Sequence, residues 1–181
     1  TNGDFEAAVD VLRKKGQKVA AKRGDNDARE GIIIAQSSTD SKAGVIVTLN
    51  CETDFVAKND GYVQLVQSLV DLALDKQPKS LDELKTLAYN EKLSVTEKIT
   101  EQIGVLGEKL DLSAYTLVES NQVVAYNHPG NQLATLVALN SASDIAEDAG
   151  KQVAMQVAAM NPMAVSKDGI DSKTIEREIE V

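Results

Sequence analysis

Residues able to do chemistry are few in this chain, and the most suggestive fall in one run, Asn50-Cys51-Glu52-Thr53-Asp54-Phe55-Val56-Ala57-Lys58. The single cysteine, Cys51, and the single histidine, His128, are the only candidates for a thiol nucleophile and its base. No third residue that would orient the base is indicated, and a lone free cysteine is more simply a small buried hydrophobe. One cysteine and one histidine also cannot furnish a structural zinc cage. Asp25-Asn26-Asp27 opens like a calcium loop but lacks the bidentate glutamate at the twelfth position. No glycine-rich phosphate loop followed by lysine and serine or threonine occurs, so the chain is not expected to hydrolyse a nucleoside triphosphate. The remaining chemistry is that of contact. Asp54-Phe55 sets a carboxylate beside an aromatic ring just after an apolar strand, in the kind of loop where function collects on a rigid scaffold. Taken alone, the pair fits a helix-capping aspartate and a core phenylalanine, or a wedge for a partner protein.

A strand and a helix must hold that pair. Val45 to Leu49 reads as a strand, forming a β-hairpin with Ile32-Ile33-Ile34-Ala35. In the helix that follows, Tyr62, Val66, Leu69, Val70 and Ala73 share one face, and Pro78 lies beyond its end. Ser80 to Leu93 reads as helical and mixed. Ser94-Val95-Thr96-Glu97 has capping-box spacing and opens a helix that turns Ile99 and Ile103 inward, weakened by Gly104 and Gly107. Leu110, Leu112, Tyr115 and Leu117 suggest an extended segment. Val123 to Tyr126 and Leu133 to Leu139 flank a turn at His128-Pro129-Gly130-Asn131, a second hairpin in which His128 reads as a surface contact. At the start, Phe5, Ala8, Val9 and Leu12 predict one short helix, capped by Asp4 and closed by Gly16. So short a helix is marginal alone, which suggests missing preceding helices or docking onto something else. Gly24 to Gly31 reads as a linker to the main body.

The two hairpin-plus-helix units repeat. Asp144 lies 90 residues after Asp54, and the same offset pairs Val47 with Val137, Leu49 with Leu139, Asn50 with Asn140 and Val63 with Val153 without a gap. It also sets Phe55 against Ile145, Val56 against Ala146 and Lys58 against Asp148. One scaffold would then carry two different tips, the first inserting into a partner and the second serving packing. The expected fold class is α+β: two duplicated halves, each a small antiparallel sheet with packed helices. Segment 1–24 would be a helix and linker, 25–109 the first half and 110–181 the second.

Composition narrows the function classes. The chain has 181 residues, enough for a real core, and is 43% hydrophobic but only 3% aromatic with no tryptophan, so aliphatic side chains must fill the interior. A net charge of −9 argues against direct binding to nucleic acid, which needs clustered cations, and favours a protein partner. Arg13, Lys14, Lys15, Lys18, Lys22 and Arg23 form a local exception that could meet an acidic surface or simply be solvated. A single cysteine permits no intrachain disulfide and fits a reducing compartment. No apolar run approaches the roughly 20 residues of a membrane span, and no signal peptide is visible. The first residue is threonine, so the sequence is read as a fragment whose targeting information lies elsewhere.

The Cys51-Glu52-Thr53-Asp54-Phe55-Val56-Ala57 core resembles the signature of the elongation factor Ts family, and weaker similarity runs from Asn2-Gly3-Asp4 through Tyr126-Asn127-His128 to the end. The resemblance implies a guanine-nucleotide exchange factor for elongation factor Tu in translation elongation. Such a protein is not an enzyme with catalytic residues, needs no metal or cofactor, and works in the bacterial cytoplasm or, alternatively, an organellar matrix. It implies that Asp54 and Phe55, flanked by Thr53 and Val56, enter the G domain of elongation factor Tu near the magnesium and phosphate site. Ile103, Gly104 and His128 match by position a second contact with a surface helix of that domain, although Pro129-Gly130-Asn131-Gln132 departs from the glycine and basic residues usual there. Residues 1–24 would be the last helix and linker of a UBA-like amino-terminal domain. Ile175 to Val181 would begin a later helical extension through which a homodimer could form. The competing class is a non-catalytic or chaperone-like module that holds the GTPase without driving exchange.

Overall fold

A computed structural model describes residues 3–179. Strands β1 (Glu30–Ser37) and β2 (Ala43–Cys51) form an antiparallel hairpin, and β3 (Leu110–Glu119) pairs with the other side of β2, giving the sheet order β1-β2-β3. Alternation along β2 buries Val45, Val47, Leu49 and Cys51 completely. Helices α2 (Asp54–Ala57), α3 (Asp60–Lys76), α4 (Leu81–Thr86) and α5 (Val95–Leu106) lie between β2 and β3 in the chain. The α3 face predicted from spacing is the buried one: Tyr62, Val66, Leu69, Val70 and Ala73 all join the core. Ser94 and Glu97 make the reciprocal capping box that starts α5, and Gly107 ends it in the left-handed conformation at φ 78°.

Tyr62 fixes α3 to the sheet. Its buried hydroxyl donates to the Leu49 carbonyl at 2.5 Å, and burial pushes the phenol well above its ordinary range. Tyr62→Phe should cost about 1–2 kcal/mol by removing a satisfied buried hydrogen bond, lowering Tm by about 3–6 °C in thermal melts. An unchanged Tm would show that the hydroxyl contributes nothing.

A second antiparallel hairpin joins β4 (Gln122–Asn127) to β5 (Ala134–Leu139) and is covered by α6 (Asp144–Met160). A 3-10 turn (Lys167–Gly169) and α7 (Ser172–Ile179) follow. The class is α+β, with two small antiparallel sheets and packed helices. β3 adds to the first sheet, where Leu110 and Leu112 are buried in its core.

The duplication is visible in the register. Ile34 opposes Val47 in the first hairpin and Val124 opposes Val137 in the second, both shifted by the same 90 residues. Thr53 caps α2 and Ser143 caps α6, again 90 apart, and each hydroxyl accepts from the backbone N–H three residues on, Val56 or Ala146. The copies then diverge. The second runs straight on as α6, whereas the first stops after Ala57 and restarts at Asn59, which caps α3.

Helix α1 (Phe5–Lys22) departs most from expectation. Asp4 caps it as predicted, but the helix passes through Gly16 instead of ending there. Gly16 is buried against α5: a Cβ on it would overlap the Thr100 carbonyl oxygen, and one on Gly104 would overlap that of Leu12. Both glycines let two backbones touch, which tertiary packing rewards more than the helix interior penalises. The docking partner that so short an apolar stripe requires is therefore α5, within the same chain.

The outward edge of β1 is sealed by the second hairpin. Asn127 lays its carboxamide along Ala35, accepting from its N–H at 2.7 Å and donating to its carbonyl at 2.8 Å. Ile33 N–H donates to the Asn131 carbonyl at 2.8 Å, and the Gln132 side chain donates to the Gly31 carbonyl at 2.8 Å. Residues 31, 33 and 35 thus find partners without another strand.

Candidate partner-binding site

The end of β2 delivers Thr53 to a non-helical cap position, and the four-residue turn α2 presents Asp54 and Phe55 to solvent. Phe55 is 83% exposed. Leaving a phenylalanine in water forgoes roughly 1.5–3 kcal/mol of burial, so the ring is not the core phenylalanine that was one reading of the pair. Val56 points the other way and packs against the core, with Ala57 buried beside it. Asp54 pairs with Lys58 at 2.7 Å across one helical turn, and that hydrogen bond and charge hold the carboxyl below its ordinary range.

Two carboxylates that the sequence reading did not single out hold the base of this turn. Glu108, just after α5, accepts from the Glu52 N–H at 3.2 Å, the Thr53 N–H at 3.1 Å and the Thr53 hydroxyl at 2.7 Å. Glu52 answers by accepting from the Lys109 N–H at 2.6 Å, Arg23 at 2.7 Å and Asn26 at 2.9 Å. Lys109 in turn donates from its ammonium to the carbonyls of Gly24 and Asn26, tying the end of α1 into the same cluster. Glu52 and Glu108 lie 56 residues apart with no local pattern to couple them.

The Glu52 carboxyl titrates under opposing influences. Desolvation raises it, but the bonds from Lys109, Asn26 and Arg23, with the Arg23 charge, outweigh burial and hold it below the ordinary 4.5. A depressed folded value means stability that is present above the unfolded value and lost as pH falls through the folded one. Glu52→Gln should therefore destabilise the chain near neutral pH, with the gap from wild type closing in acid below about 4.5. Urea midpoints across that range check this; a constant gap would assign the loss to shape and not to charge.

The other candidates are dispersed. Ile103 is 5% exposed, and Gly104 is buried against α1, so neither meets solvent. Both lie on α5, which leads through Gly107 to Glu108 and so to the base of the tip. His128 is exposed in the β4–β5 turn, its Nδ1 sharing a hydrogen bond with the Tyr126 hydroxyl at 2.9 Å. Cys51 is fully buried, its thiol donating to the Thr53 carbonyl at 3.2 Å while burial raises its pKa, so a nucleophile–base pair with His128 is not formed. Ile145, the counterpart of Phe55, is also 83% exposed. It does not serve packing within this chain as expected, because the Ser143 cap sets the first turn of α6 in the same way that Thr53 sets α2. The cations Lys14, Lys15, Lys18 and Lys22 are exposed along α1, while Arg23 is committed to Glu52. Among the described residues no helix is long and apolar enough to cross a membrane.

Comparison with known proteins identifies the family to which the sequence is similar. A family model described as Elongation factor TS matches residues 52–181, beginning at the base of the tip. Elongation factor Ts of Christiangramia forsetii is 48% identical over 179 residues, covering 99% of this chain and 64% of the relative. That of Amoebophilus asiaticus is 47% identical over 182 residues, with 99% and 65% covered. That of Porphyromonas gingivalis is 42% identical over 181 residues, with 100% and 65% covered. The chain thus spans just under two thirds of the length of these relatives. With the family model covering most of its residues, including the whole Glu52-to-Lys58 turn, the chain belongs to the elongation factor Ts family.

Proposed function

We propose that this chain speeds release of guanine nucleotide from elongation factor Tu during translation elongation, acting by binding without covalent chemistry. The observation that carries the reading is the exposure of Phe55 on a capped, hydrogen-bonded turn that leaves the ring free to enter a partner. In this reading Phe55 fills an apolar pocket of the G domain near the magnesium and phosphate site, and Asp54 either bonds partner groups or stays with Lys58 to stiffen the turn. Thr53 and Val56 hold the tip from beneath. His128 supplies a second, separate contact, and Ile103 and Gly104 act from within by keeping α1 on α5. The bacterial cytoplasm is the compartment in which such a partner would be met.

Exchange follows from linkage. A factor that binds the nucleotide-free partner better than the loaded one must weaken nucleotide binding by the same free energy. Displacing the groups that hold magnesium removes the charge that neutralises the phosphates, and the nucleotide leaves faster. The test is release of a fluorescent guanine nucleotide from purified elongation factor Tu at increasing concentrations of this chain. Acceleration that saturates supports exchange. Saturable binding with an unchanged release rate would replace it with the holding-module reading.

A further inference from the structure

We infer that Glu108, with Glu52 as its reciprocal partner, is a positioning residue for the Asp54–Phe55 tip; this rests on the exchange reading above. The tip is a single turn of four residues, too short to hold its own direction, and the pair Asp54–Lys58 is exposed to solvent. Its direction is set by the cap residue Thr53, and three donors of Glu52 and Thr53 converge on the one carboxylate of Glu108. The Thr53 hydroxyl is thereby used twice: it donates to Glu108 Oε1 and accepts from Val56 N–H inside the turn. That double use transmits the position of Glu108 to the first turn of α2.

The exchange is two-way. The Glu108 side chain binds the backbone at 52–53 while the Glu52 side chain binds the backbone at 109. The two chain turns, one leaving β2 and one entering β3, are clamped by charge-assisted bonds in both directions. Arg23 and Asn26 complete the acceptor set of Glu52, so the end of α1 bears on the same clamp. The second copy of the scaffold has the Ser143 cap and the exposed Ile145, and its cap N–H donates to the buried Gln122 side chain at 3.2 Å, but among the described residues no carboxylate accepts from the cap hydroxyl as Glu108 does. A neutral amide holds one cap of the duplicated pair and a reciprocal pair of carboxylates holds the other, which fits a first tip whose direction matters under load.

Three variants separate positioning from stability: Glu108→Ala, Glu108→Gln, and Tyr115→Phe as a destabilised control away from the clamp, which removes the bond from the Tyr115 hydroxyl to the Pro78 carbonyl at 2.9 Å. Two readouts are taken on each: the rate of fluorescent nucleotide release from elongation factor Tu at saturating chain, and amide hydrogen exchange at Ala57 and Lys58 in the free chain. Those two amides close α2 on Thr53 and Asp54. Glu108→Ala should lower the saturating release rate about tenfold, as expected when a contact surface is displaced from its working geometry, and expose both amides, with Glu108→Gln intermediate and Tyr115→Phe moving neither. Unchanged protection at Ala57 and Lys58 in Glu108→Ala, or equal losses in Tyr115→Phe, would overturn the positioning role. A wild-type chain that fails to accelerate release overturns the exchange reading itself, while the amide protections still judge the clamp.

Discussion

Phe55→Ala is expected to remove most of the acceleration of nucleotide release while leaving the fold as stable as before. The ring is 83% exposed, so its truncation creates no cavity, and exposed substitutions of this kind shift stability by at most about 0.5 kcal/mol. In the partner, a fully desolvated phenylalanine contributes roughly 1.5–3 kcal/mol. If that energy is realised as the nucleotide leaves, each 1.36 kcal/mol is about a factor of ten, so release should slow by about ten- to a hundredfold. Stopped-flow release with fluorescent nucleotide, beside thermal melts of both chains, decides it. A mutant that melts early would return the ring to a structural role; one that melts normally and exchanges normally would remove the wedge from the mechanism.

The second large effect is expected in stability, from Gly104→Val. Here the obstacle to a side chain is the Leu12 carbonyl oxygen and the Gly16 backbone, not the flexible end of another side chain. Overpacking of this kind typically costs about 1–3 kcal/mol, and rigid neighbours place it at the upper end. Helix α1 should come away from α5, taking with it the partial cover that Val19 and Ala20 give the core. The chain around Gly24 to Arg29 should become a preferred site of limited proteolysis, with Tm lowered and the β1-β2-β3 sheet retained. Unaltered Tm and proteolysis would mean that α1 moves aside freely and the close crossing is dispensable.

These cases show which parts of the molecule could be read from residues alone. The buried face of α3, the Ser94 capping box and both hairpins were legible because each is a local pattern within one element. The duplication was legible because the strands preserve an ungapped offset, although α3 restarts after an extra turn that burial and capping reveal and spacing does not. Gly16 was misread because a glycine that ends a helix and a glycine that admits another backbone look the same in one dimension. At the site, the type and order of Asp54 and Phe55 suggested contact chemistry. The outward direction of Phe55 was one of two readings the residues left open, and its support by Glu108 could not be read, since that brings together residues 55 positions apart.

The sealed edge of β1 carries a consequence for synthesis. Asn127 must be made before it can cover Ala35, 92 residues earlier in the chain. At typical translation speeds that interval is about 5–20 s, and once β2 has been made the first hairpin would present amides at Ile33 and Ala35 without protein partners for the rest of it. A nascent chain in this window is open to strand addition from neighbours emerging on the same messenger. Pausing before residue 127 should therefore raise aggregation of the nascent protein more than an equal pause after it.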